Sequence, residues 1–182
     1  MSFKFTEANK IKAEKEIDKY PKEGKQSAVM ALLMIAQKQN NNYLSKEAIE
    51  YVANYLNMPV IKVVEVATFY TMYNMQPVGK YHVQICSNVV CHVKGAKNLI
   101  AALEKATGAT VGCSSNDGLF TISKVECLGA CANAPAVQIN DDYFEDVTAE
   151  DINYIVEELK NNKKPNIKKT VKTPIHLAVE SK

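Results

Sequence analysis

The sequence predicts an α/β fold in which a layer of roughly 80 residues follows a helical region. Three observations carry this reading. Apolar residues in the first third recur at helix spacing, the pattern turns to alternation after Pro77-Val78-Gly79, and the chain then reads as strand, helix, two strands and helix. The expected organisation is a helical region over 1–78, the α/β domain over 79–160 and a basic tail over 161–182. With 182 residues, 47% of them apolar and 23% charged, the chain can bury a core, and its composition is not that of a disordered, collagenous or disulfide-packed protein.

The segment before Pro21 is helical in character but too weakly amphipathic to place. Ala28, Val29, Leu32, Leu33 and Ala36 form one helical stripe that ends before the polar turn Asn40-Asn41-Asn42. A second helix starts with Ser45 as N-cap and Glu47 in its first turn, and carries Ile49, Val52, Ala53 and Leu56 on one face. Pro59 suits the first position of a third helix with Val60, Val63, Val64 and Ala67, although its β-branched residues make a strand the competing reading. Lys80 to Cys86 alternates as a strand that ends on a cysteine. Lys94 to Ala106 is helical and stops at Gly108. Strands are expected at Leu119–Val125 and Ala136–Asn140. Thr148 caps a last helix that turns Ile152, Ile155, Val156 and Leu159 inward.

Charge is unevenly spread. Residues 160–182 hold seven Lys against Glu180, whereas the rest of the chain holds 15 Lys and 19 acids. All the basic residues are Lys, so the bidentate fork that reads guanine edges and clamps phosphates is missing, which argues against nucleic-acid recognition. The longest apolar run, Ala28 to Ala36, has nine residues against the roughly 20 that span a bilayer. The opening MSFKFTEANKIKAEKEI mixes acids with lysines and lacks an apolar stretch, so a cytosolic location without direct membrane insertion is expected.

Five cysteines carry the chemical information. Cys86 and Cys91 have four residues between them, Cys127 and Cys131 have three, and Cys113 stands alone. Two close pairs point to one four-thiolate site. Disulfides would require an oxidising compartment, for which the sequence has no signal. Structural zinc favours tight two-residue knuckles, whereas a 2Fe-2S cluster takes two thiolates at each iron and is served by longer loops. The spacing leans toward iron-sulfur and leaves zinc open. The loop CLGACANAP from Cys127 surrounds its sulfurs with Gly129, Ala130, Ala132 and Ala134, which lets backbone N–H groups approach, and Gly95 is a candidate for the same role beyond Cys91.

CLGACANAP, CSNVVC from Cys86, and TFYTMYNMQPVGKYHVQIC from Thr68 resemble the thioredoxin-like 2Fe-2S ferredoxin family from about residue 15 to residue 160. The resemblance implies a thioredoxin-like domain behind an N-terminal helical region, with a 2Fe-2S cluster on Cys86, Cys91, Cys127 and Cys131. It further implies a one-electron carrier in the NADH-oxidising module of an NADH-quinone oxidoreductase, the respiratory complex I. The partners it implies are the flavoprotein subunit that binds FMN and NADH and the other peripheral-arm iron-sulfur subunits, at the cytoplasmic side of the inner membrane. An equivalent subunit of an NAD-linked formate dehydrogenase or hydrogenase is the near alternative, and a zinc-stabilised interaction module the distant one. His92-Val93-Lys94-Gly95 departs from the family pattern of a bulky apolar residue and Arg before the Gly.

The remaining signals are absences and secondary expectations. His82, His92 and His176 lack Rieske spacing, and His92 reads as a residue beside the ligands or on the surface. Phe69, Tyr70 and Tyr73 read as helix core or partner interface. No GxGxxG or GxxxxGK occurs, so no NADH or other nucleotide site is expected on this chain, and no residue is expected to be catalytic by itself. Nine acids and no Lys between Val125 and Leu159 suggest a low-potential centre, with Asp141, Asp142 and Glu145 foremost. The tail past Lys160 is expected to be extended or ordered only by a partner, with Ile167, Val171, Ile175 and Leu177 as anchors.

Overall fold

The computed structural model describes residues 3–167, and the chain divides into two compact units, Met1–Val78 and Gly79–Lys182. Among the described residues, no helix is long and apolar enough to cross a membrane. His176 and the tail anchors Val171, Ile175 and Leu177 lie outside the described residues.

The first unit is helical: α1 (Glu7–Ile17), a 3-10 turn (Lys22–Ala28), α2 (Val29–Gln39), α3 (Lys46–Leu56) and α4 (Val60–Phe69). The Thr6 and Ser45 side chains cap α1 and α3 by accepting from the N–H groups of Asn9 and Ala48. Leu32, Leu33, Leu44, Val52, Leu56 and Val63 fill the core. The α1 segment, too weakly patterned to place from sequence, is fixed by Phe5, whose ring meets Tyr51 edge-on at 5.0 Å, and by the fully buried Ala13. Buried Gln37 is satisfied at both ends: its amide donates to Met72 O at 3.0 Å and its oxygen accepts from Asn74 N–H at 2.6 Å.

The α4 segment forms the expected helix rather than the competing strand, with Pro59 in the capping position just before it instead of at its first residue. The aromatic trio divides, since Tyr73 is buried with its hydroxyl donating to Met30 O at 2.8 Å, while Phe69 and Tyr70 are exposed.

The second unit holds a four-stranded mixed sheet in the order β2-β1-β3-β4, from β1 (Tyr81–Cys86), β2 (Phe120–Val125), β3 (Val137–Ile139) and β4 (Asp142–Phe144). Strand β1 runs parallel to β2 and antiparallel to β3, and β3 and β4 form a hairpin. Three helices complete the unit: α5 (Val89–Val93), α6 (Ala96–Thr107) and α7 (Ala149–Lys160). Alternation puts Val83, Ile85, Phe120, Ile122, Val137 and Ile139 on one face, where they share a core with Leu99 and Leu103 of α6 and Ile152 and Ile155 of α7. Thr148 and Asp151 close α7 with a reciprocal capping box.

The sequence reading passes over α5 and β4, each too short to show a period. The tail also differs from expectation over 161–167. Pro165 is buried, Ile167 packs on the core, Lys164 pairs with Asp142 at 2.5 Å, and Lys80 donates to the Asn162 side chain. That stretch belongs to the domain.

Candidate metal centre

The parallel pairing of β1 and β2 builds the site. Adjacent parallel strands end on the same side of a sheet, so the loops that follow them leave together. Cys86 is the last residue of β1, opposite Val125 at the end of β2. Cys91 lies on α5, which Asn88 starts by accepting the Val89 N–H on its side chain at 2.6 Å. Cys127 follows β2 by two residues, and Cys131 opens a 3-10 turn, Cys131–Asn133.

The four expected thiols come together here, each interacting with others of the set. Burial works against the Cys86 thiolate, but the amides of Asn88 and Leu128, with the thiols of Cys91 and Cys127, outweigh it and hold Cys86 below its ordinary pKa. Burial raises Cys91, and the neighbouring Cys86 raises it further against the amide of Ala136. Cys131 is raised by the charge and hydrogen bond of Cys127. The Gly129 N–H donates to Cys127 Sγ at 3.3 Å. The environment therefore supplies backbone donors to a cluster of sulfurs that would otherwise repel one another.

The pairs differ in exposure. Cys86 and Cys91 are 2% and 1% exposed, whereas Cys127 and Cys131 are open to solvent. Among the described residues, no three His, Cys, Asp or Glu side chains converge as one ion would require. A 2Fe-2S rhomb asks for two thiolates at each of two irons. The donor set, four thiols on two loops with amides directed at sulfur, fits that group.

The structure keeps other candidates apart from these thiols. Cys113 is exposed and lies beside Ile122, whose N–H donates to its carbonyl at 3.4 Å, well short of the strand end where the quartet sits. His82 is buried on β1 with Nε2 2.9 Å from Ser123 Oγ, and burial lowers its pKa. His92 is exposed on α5. Gly95, at φ +103, is the left-handed joint between α5 and α6, and its N–H donates to His92 O at 3.0 Å. Of the expected acids, Asp142 is paired with Lys164, and Glu145 accepts from Asn133 Nδ2 at 2.6 Å, so part of the acidic surface also fixes the loop.

Tyr143 is the site residue that sequence reasoning missed. Its hydroxyl donates to Leu128 O inside the Cys127–Cys131 loop. Burial, then the Cys127 and Cys86 thiols, raise its pKa. The available signal was an Asn-Asp turn between two short alternating stretches, which marks the hairpin that carries it.

Among known proteins, residues 13–160 match the thioredoxin-like 2Fe-2S ferredoxin family. A Rickettsia conorii protein, named as the E subunit of NADH-quinone oxidoreductase, is 48% identical over 161 residues, covering 88% of this chain and 96% of that protein. A Dictyostelium discoideum protein named NADH dehydrogenase (ubiquinone) flavoprotein 2, mitochondrial, is 41% identical over 165 residues, covering 91% of this chain and 67% of its own. Of the solved structures, the air-oxidised crystal structure of an NAD+-reducing NiFe hydrogenase superposes with a TM-score of 0.61 at 23% identity, covering 71% of this chain and 23% of that one. That last likeness speaks for the fold alone.

Proposed function

The chain belongs to the thioredoxin-like 2Fe-2S ferredoxin family, and we propose that it is the one-electron carrier of an NADH-quinone oxidoreductase, holding its 2Fe-2S cluster on Cys86, Cys91, Cys127 and Cys131. The observation that carries the reading is the gathering of four thiols from two loops at the ends of parallel strands, with amides of Asn88, Leu128, Gly129 and Ala136 directed at the sulfurs. The 48% identity to the Rickettsia conorii protein, over nearly the whole length of that protein, supports the assembly.

When bound, the cluster supplies a site that takes up and gives back a single electron. The chain does the rest. Cys86 and Cys91 hold their end of the site away from water, and the backbone donors offset the negative charge that four thiolates bring. Exposed Cys127 and Cys131 keep the other end at the surface, where a partner can come close. No side chain of this chain is assigned a catalytic role, and the chemistry of NADH and quinone belongs to other subunits.

In this reading, residues 79–160 carry the cluster with 161–167 packed onto them, 1–78 form the helical region ahead of it, and the rest of the chain to 182 completes the basic tail. The partners are the flavoprotein subunit with FMN and NADH and the other iron-sulfur subunits of the peripheral arm. The assembly keeps the chain at the cytoplasmic side of the inner membrane without insertion of its own.

Anaerobic absorption spectra combined with iron, acid-labile sulfide and zinc analysis test the proposal. Two irons and two sulfides per chain are expected. A colourless chain with one zinc and no sulfide contradicts it and leaves a zinc-stabilised interaction module.

A further inference from the structure

We propose that Tyr143 is a positioning residue of the metal centre: its hydroxyl fixes the Leu128–Gly129 peptide so that the Gly129 N–H stays on the Cys127 sulfur and tunes the reduction potential. This rests on the reading of the four cysteines as 2Fe-2S ligands.

The Leu128 carbonyl and the Gly129 N–H are the two ends of one planar peptide group. The Tyr143 hydroxyl donates to the first, and the second donates to Cys127 Sγ at 3.3 Å. The peptide plane is thus held at both edges. Gly129 has φ +76, and a Cβ built on it would meet nothing within 4 Å, so the space on that side of the peptide is open, while Leu128 before it packs on the core. Without the phenol, rotation of the peptide plane would carry the N–H off the sulfur.

Tyr143 is itself well placed to act as a brace. It pairs with Gln138 in the β3–β4 hairpin, and the residues after it are tied to the same cysteine loop. Glu145 accepts from Asn133 Nδ2, Asp146 N–H donates to Asn133 O at 2.7 Å, and Val147 N–H donates to Pro135 O at 3.2 Å. The phenol therefore reaches Leu128 from a segment fixed to the far end of the loop. Hydrogen bonds in a chain polarise one another, so donation to the carbonyl strengthens the N–H at the other edge of the peptide. Donors to cluster sulfur are among the determinants of potential, and they favour the more negative, reduced form.

The test is the midpoint potential of the full-length, cluster-loaded chain with Tyr143→Phe and with a fluorotyrosine at position 143, with iron and sulfide counted in each. Phe keeps the ring and removes the donor, whereas the fluorinated phenol is a stronger donor. The two substitutions should move the midpoint in opposite directions, Phe downward and fluorotyrosine upward. For Phe the reduction equilibrium should fall by a factor of about three to ten, the upper figure being about 59 mV for a one-electron couple. Wild-type midpoints in both, with full iron and sulfide, overturn the proposal while leaving the ligand reading intact. If Tyr143→Phe holds no iron, fluorotyrosine decides alone: a raised midpoint supports the proposal and an unchanged one overturns it. A wild-type chain that holds no iron or sulfide overturns the ligand reading and this proposal with it.

Discussion

Cys86 stands opposite Val125 in the parallel pairing of β1 and β2, and the Ser87 N–H beyond it donates to the Val125 carbonyl at 2.9 Å. This one register brings two loops, separated by a helix and a long connection in sequence, to a common origin. A parallel neighbour is the arrangement that does so, because an antiparallel one would send the second loop to the opposite end of the sheet.

Gly129 should be sensitive to substitution through its backbone. At φ +76 with open space where a Cβ would stand, Ala should cost about 1 to 2 kcal/mol, and Asn, which tolerates the left-handed region, should cost less. Denaturant unfolding of the two variants at matched cluster content checks this. Equal losses would mean that backbone strain is not the cause.

The buried His82 should make the second unit less stable in mild acid. Burial lowers its pKa in the folded chain. As pH falls below about 6.5, the unfolded chain takes up a proton that the folded chain resists. Stability is then fully present above that pH and declines below it, by at most about 1.4 kcal/mol per pH unit. Thermal unfolding between pH 8 and 5, roughly the span where histidine titrates, should show a steeper decline for wild type than for His82→Gln. Parallel curves would remove His82 as the cause.

Residues 161–167 should count toward stability. Ending the chain after Lys160 removes the buried Pro165 and the packing of Ile167, for an expected loss of about 1 to 3 kcal/mol. Lys164→Gln alone removes an exposed ion pair and should cost about 0.2 to 1 kcal/mol. Unfolding midpoints of both variants test the ranking, and equal losses in the two would contradict it.

The helices were legible where period and cap agreed. Ser45 and Thr148 each stand before an apolar stripe, and both cap as expected. The β1 alternation was equally plain. The five residues of α5 and the three of β4 escaped because neither is long enough for a period to show, and β4 carries an acid where an apolar residue would have marked it. Spacing singled out the four cysteines, but their unequal burial was not readable, since it depends on how α5 folds back while the Cys127 loop stays at the surface. The contribution of Tyr143 was hidden for a similar reason: its partner is a backbone carbonyl 15 positions away, which leaves no mark in residue type.

The central claim is that Cys86, Cys91, Cys127 and Cys131, and not Cys113, hold the cluster. It is tested most directly by iron and sulfide content together with the electron paramagnetic resonance spectrum of each reduced Cys→Ser variant. Serine offers a harder and far less acidic oxygen, so the four variants at the gathered thiols should lose the cluster or show an altered spectrum. Cys113→Ser should retain full iron and sulfide with the wild-type signal. Cluster loss in Cys113→Ser, together with an unchanged spectrum in any of the other four, would contradict the account.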